Sequence, residues 1–148
     1  MRLSAKGEYA IKALLDLALH DQEGLQPIQE IAARQGIPQR YLEQVLLACK
    51  RAGMLESRRG SAGGYRLIRP GDQVTVGAVL RAVEGSVIGA ERAGRGPGDR
   101  RAECAGDLAE LWREMADAVS AVVDRITIED LRRRALERRA QASPMYHI

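Results

Sequence analysis

The chain has 148 residues and a net charge of +3, with no Phe, one Trp, four Tyr and two Cys, which fits one domain with an aliphatic core and an appendage. Cys49 and Cys104 are too few and too far apart for a disulfide framework, and His20 and His147 form no metal-spaced pair, so neither metal nor cofactor is expected. Lys6, Glu8, Lys12 and Asp16 interrupt any signal-peptide run, and no apolar stretch could span a bilayer, so a cytoplasmic protein without a membrane partner is expected.

Ser4 is placed to cap a first helix whose apolar face is Tyr9, Ala10, Ala13, Leu14, Leu17 and Ala18. Asp21-Gln-Glu-Gly24 ends it. Pro27 suits the first turn of a second helix, which carries Ile28, Ile31 and Ala32 and stops at Gly36. Pro38 opens a third, reaching about Ala52, with Tyr41, Leu42, Val45, Leu46 and Cys49 turned inward. A helix-turn-helix needs a small residue where its helices cross, a turn residue tolerant of positive φ, and apolar positions that join the two. Ala32, Gly36, and Ile31, Ile37, Leu42 and Val45 fit that pattern.

Next come Met54–Ser57 and Tyr65–Ile68, read as short strands with Gly60, Gly63 and Gly64 between them. Glycines this dense can cradle a phosphate or let a hairpin turn. A Walker A loop would continue Gly-Lys-Ser/Thr into a helix, and a dinucleotide fingerprint also needs a helix after its glycines; here Gly64 leads to Tyr65 and a strand. A hairpin after a helix-turn-helix is a wing, and Arg58 and Arg59 fall at its tip.

Val76, Val79, Leu80 and Val83 mark a fourth helix from Thr75, ended by Gly85. Residues 85–107, rich in Gly, Arg and Ala, read as a flexible loop. Leu108, Leu111, Trp112, Met115, Val119, Val122, Val123 and Ile126 then form the narrow stripe of a long helix. A monomer this small has little left to cover it, so pairing with a second copy is expected. Thr127-Ile-Glu-Asp130 resembles a capping box opening a last helix, which fades near Ala142 before Pro144. The expected organisation is a DNA-binding domain over 1–84, the loop, and a dimerisation and tail segment over 108–148.

The charge follows this division. Residues 1–84 hold 12 Lys/Arg against 9 Asp/Glu, whereas residues 85–148 balance at 11 each. Residues 38–69 contain seven basic side chains against Glu43 and Glu56 alone. Such a stretch is either a polyanion-binding face or a solvated basic surface.

Tyr41-Leu-Glu-Gln-Val-Leu, Lys50-Arg-Ala-Gly-Met-Leu-Glu-Ser-Arg-Arg-Gly-Ser-Ala-Gly-Gly-Tyr-Arg-Leu67 and the opening Met1-Arg-Leu-Ser-Ala-Lys-Gly-Glu-Tyr-Ala10 resemble the winged helix-turn-helix regulators that include IscR, NsrR and CymR. The likeness covers nearly the whole chain. It implies a mainly α fold with a small β-hairpin wing, and a homodimer crossed through the long helix (Leu108, Leu111, Trp112, Met115, Val119, Val122) on a pseudo-palindromic operator in double-stranded DNA. Carried over by position, Pro38, Gln39, Arg40, Tyr41 and Gln44 face the major groove, and Arg58, Arg59 and Gly60 form the wing contact, Arg59 entering the minor groove. Gln and Arg can read base edges through paired hydrogen bonds, and a guanidinium gains most in a narrow minor groove. Tyr41 equally suits partial core packing.

Several such regulators hold an iron–sulfur cluster through three cysteines before the long helix; here only Cys104 stands there. Glu8 matches a position where some relatives supply an acidic ligand from the partner subunit, but Lys12 is its neighbour. The expectation is a cluster-free repressor that is not an enzyme. Within the family it is most similar to CymR, the cysteine-metabolism repressor, which implies control of cysteine metabolism with a cysteine synthase as partner. An isoleucine beside a terminal carboxylate is a compact ligand, so Tyr146, His147 and Ile148 are the candidate partner-binding residues, against a simply loose chain end. The alternatives are a redox- or iron–sulfur-sensing regulator acting through Cys104, whose pKa Arg100 and Arg101 would lower, and a protein-interaction module for a metabolic enzyme. Cys104 can equally be an inert surface cysteine, and Cys49 suits the core.

Overall fold

In the computed structural model, which describes residues 3–85, 87 and 100–143 (100–107 as backbone only), six helices and one hairpin follow in chain order. α1 (Ala5–Leu19) starts where Ser4 accepts from the Gly7 N–H. Its buried face, Ala10, Ala13, Leu14, Leu17 and Ala18, is the expected stripe, and it packs on α2 (Ile28–Gln35), α3 (Gln39–Arg51), α4 (Val76–Glu84) and α6 (Ile128–Ala142). It is the central element of the core.

Pro27 and Pro38 occupy the caps of α2 and α3, one position before each helix. Between the helices Gly36 adopts φ 63°, ψ 35°, left-handed backbone that a side chain would strain. The Ile37 N–H still reaches the Ala32 carbonyl, so the turn closes tightly and Ile37 drops into the core. Leu42, Val45, Leu46 and Cys49 are buried along α3 as expected. Tyr41 is not: it is 56 % exposed, because it lies at the flank of that apolar row, about a quarter-turn from its centre.

β1 (Leu55–Arg58) and β2 (Gly64–Leu67) pair antiparallel with Leu55 opposite Leu67 and Arg58 opposite Gly64. Each strand is shifted by one residue from the sequence expectation, since Met54 joins the core at the end of the helix turn and Gly64 completes the ladder. The hairpin turn needs glycine for space. A Cβ on Gly63 would sit 2.2 Å from the Arg58 carbonyl oxygen, and one on Gly64 would sit 2.4 Å from the Gln26 carbonyl oxygen.

α4 is capped by Thr75, which accepts from the Ala78 N–H, and ends at Gly85. The long helix α5 covers Arg100–Val123, so it starts eight residues before the expected Leu108 and takes in the end of the expected 85–107 loop. The rest of that loop, apart from Gly85 and Val87, lies outside the described residues. At its other end α5 stops before Ile126. There the chain turns at Asp124 and Arg125 into a short bridge, in which the Val76 N–H bonds Ile126 and the Ile128 N–H bonds Val74. The capping box forms: Asp130 N–H donates to the Thr127 hydroxyl at 3.0 Å, and Thr127 N–H donates to the Asp130 carboxylate at 2.9 Å. Tyr146, His147 and Ile148 lie outside the described residues.

Candidate nucleic-acid interface

Burial divides α3 into two faces. Leu42, Val45, Leu46 and Cys49 anchor it, while Gln39, Arg40, Tyr41, Glu43 and Gln44, with Pro38 just before them, are exposed on its N-terminal half. A helix held in this way presents amide, guanidinium and phenol groups together, which is the donor and acceptor set that base edges and phosphates accept. Glu43 is not among the sequence candidates. Its carboxylate accepts hydrogen bonds only, so on a groove-facing helix it favours a cytosine amino group and disfavours phosphate.

The wing springs directly from α3. The Lys50 ammonium donates to the Ser57 hydroxyl at 2.7 Å, tying the end of the helix to β1. Arg66 pairs with Glu56 across the hairpin, which removes one of the seven basic groups from the free set. Arg58, Arg59 and Gly60 are exposed at the turn, and among the described residues neither arginine has a carboxylate partner. Arg40, Arg51 and Arg69 are likewise exposed without one. This surplus positive charge is available to a polyanion.

The start of α2, against which β2 pairs through Gln26 and Tyr65, is held by a polar network that sequence reasoning missed. Asp16, on α1, is 1 % exposed. Arg34 of α2 forks onto it, with Nη2 donating to Oδ2 at 2.7 Å and Nε to Oδ1 at 3.0 Å, and Gln35 adds a donor at 2.9 Å. The hydrogen bond to Asp16 raises the Arg34 pKa above its ordinary value, so the guanidinium stays charged. The one available signal was a carboxylate set between Leu14 and Leu17 in an apolar stripe.

On α5, Leu108, Leu111, Trp112, Met115 and Val122 are exposed, and Val119 is partly covered. Arg81 of α4 holds the helix's far end through a fork onto Asp124, at 2.7 and 2.9 Å. The backbone of Cys104 is helical, within α5 rather than before it; its side chain lies outside the described residues. Cys49 is buried, and burial pushes its thiol up to about 12, far from the thiolate needed for metal binding or redox attack.

A helix-turn-helix with a cationic wing, followed by a long helix with an apolar stripe, defines a DNA-binding transcriptional regulator. The family model described as "Iron-dependent Transcriptional regulator" matches residues 3–134, and the chain belongs to that family, Rrf2. It is 39 % identical over 137 residues to the HTH-type transcriptional regulator IscR of Photobacterium profundum, covering 90 % of this chain and 76 % of that one. Among solved structures it is similar to T. potens IscR, with a TM-score of 0.76 and 32 % identity over 99 % of this chain and 95 % of the other. It is also similar to CymR, the global cysteine regulator of B. subtilis, with a TM-score of 0.69 and 31 % identity over 89 % and 96 %. The likeness is thus shared between IscR and CymR, and does not single out CymR. Among the described residues, no helix is long and apolar enough to cross a membrane.

Proposed function

We propose that this regulator is a homodimeric, cluster-free repressor, with Pro38, Gln39, Arg40, Tyr41 and Gln44 in the major groove and Arg58, Arg59 and Gly60 at the minor groove of a pseudo-palindromic operator. The observation that carries the reading is the exposure of Arg58 and Arg59, unpaired among the described residues, on a hairpin tied to α3. Phosphate contacts release counterions, so binding to promoter fragments must weaken steeply with salt, and operator fragments must outcompete random DNA. Salt-insensitive binding, or equal affinity for any sequence, would overturn it. The exposed stripe on α5 supports the dimer.

The family description and the relatives named IscR favour a second reading, an iron–sulfur sensor. The donor set does not fit a cluster held by four protein ligands. Of two cysteines, Cys49 is buried as a thiol, and the Glu8 carboxylate is paired with Lys12 at 2.7 Å. One cysteine, Cys104, is left for each chain. Regulation through Cys104 as a redox thiol is the form of sensing that this composition leaves open.

The likeness to CymR, a regulator whose description names cysteine, supports a role in cysteine metabolism. In that role Tyr146, His147 and Ile148 would engage a cysteine synthase. Calorimetric titration of that enzyme with the chain and with a variant lacking Ile148 tests this. Binding only by the intact chain supports the contact; equal binding by both, or none, removes it.

A further inference from the structure

Gln26 precedes α2 and is almost fully buried, at 4 % exposure. Its main chain pairs with the wing in both directions: the Gln26 N–H donates to the Tyr65 carbonyl and the Tyr65 N–H to the Gln26 carbonyl, each at 2.9 Å. Next to it, Gly64 lies so close to the Gln26 carbonyl that only glycine fits. The turn-proximal start of β2, opposite Ser57 and Arg58, therefore rests directly on this one residue.

The side chain of Gln26 is itself held. Its Oε1 accepts from Arg34 Nη2 at 2.9 Å, and its Nε2 donates to the Gly24 carbonyl at 3.4 Å. Arg34 Nη2 also donates to Asp16 Oδ2, so one nitrogen links the buried carboxylate of α1 to the wing's support. The path runs from the core through α2 to β2 without a break. Of the guanidinium's contacts, the bonds to Asp16 satisfy the buried charge and would suffice for that purpose. The bond to Gln26 adds nothing to its neutralisation; it fixes an uncharged side chain whose backbone carries the wing.

We propose that Gln26, held by Arg34, is a positioning residue for the wing: it sets where Arg58 and Arg59 stand relative to α3, and so determines the grip on DNA without touching it. The proposal rests on the wing reading given above. A polar chain of this kind is suited to the task because hydrogen bonds are directional, whereas the apolar contacts beneath the hairpin resist separation more than tilt.

The test is a thermodynamic cycle on operator affinity with Gln26→Ala, Arg59→Ala and the double variant, each checked for folding by circular dichroism and thermal melting. Gln26→Ala should weaken binding by about threefold to tenfold in the parent, and have a clearly smaller effect once Arg59 is gone, when only Arg58 is left at the wing to be positioned. Hydroxyl-radical protection should fade at the wing's minor-groove segment and persist beneath α3. Additive effects of Gln26→Ala and Arg59→Ala, or parent-like binding by a folded Gln26→Ala, would overturn the proposal while leaving the wing reading intact. An Arg59→Ala protein with parent affinity would overturn both. Should Gln26→Ala not fold, Gln26→Met, which fills similar volume without the acceptor, takes its place in the cycle; failure of both to fold makes Gln26 a folding residue and refutes the positioning role.

Discussion

Arg34 and Asp16 meet through a two-point fork, 2.7 Å and 3.0 Å, that joins α2 to the buried side of α1. Asp16 is almost entirely removed from water, so its charge is compensated by this arginine, with Gln35 close by. The helix-turn-helix is consequently bolted to the core by a charged pair as well as by Ile31 and Leu42.

Truncating one partner is much more damaging than truncating both. Arg34→Ala should cost about 3–5 kcal/mol, because it leaves a buried carboxylate with little compensation. Asp16→Leu combined with Arg34→Leu should cost clearly less. Urea denaturation of the three proteins provides the comparison, and equal losses would show that the charges are not coupled.

The capping box of α6 makes acid sensitivity predictable. The Thr127 backbone N–H, then the Thr127 hydroxyl and Arg133, hold the Asp130 carboxyl below the usual carboxylate range. The folded state thus binds this proton less readily than the unfolded chain. The stabilisation is present in full above the ordinary carboxylate pKa of about 4 and is lost as pH falls through the lower folded value. Asp124, lowered by its hydrogen bond with Arg81, acts in the same direction. Asp130→Asn should lower Tm at neutral pH and flatten its fall in acid. An unchanged acid limb in Asp130→Asn would exclude the box as a source of that sensitivity.

Much of the fold was legible in the sequence because its signals are local. Pro27, Gly36, Pro38 and Gly85 bound helices through φ and missing donors, and Thr127 with Asp130 form a cap within four residues. The helical period also locates the buried rows of α1, α3 and α4. What escapes it depends on partners far apart in the chain. Asp16 reads as a break in an apolar run until Arg34, eighteen residues on, folds back to it. Gln26 reads as a loop residue until Tyr65 pairs with it. Tyr41 reads as inward on hydrophobicity alone, although its position at the flank of α3's buried row leaves it 56 % exposed. The start of α5 is hidden because residues 100–107 have helix-compatible composition but no apolar period.

The stripe on α5 gives a prediction about assembly. Leu111 and Met115 are exposed in the single chain at 46 % and 41 %. Replacing both by Asp would bury unpaired charges in the proposed subunit interface, so sedimentation should find monomer or insoluble protein. A soluble dimer of parental size would place the interface elsewhere.

Protein purified without oxygen should be colourless beyond the aromatic absorption band, since the chain offers only Cys104 besides the buried Cys49. Iron and sulfide in stoichiometric amounts, with a brown colour, would contradict the cluster-free state and favour sensing through a cluster.

The central claim, that the wing reads DNA through Arg59, is tested most directly by operator binding of Arg59→Ala, measured by fluorescence anisotropy across a salt series. The folded variant should bind about 1–3 kcal/mol more weakly, with a shallower salt dependence and its dimer intact. Parental affinity and an unchanged salt slope would contradict the account.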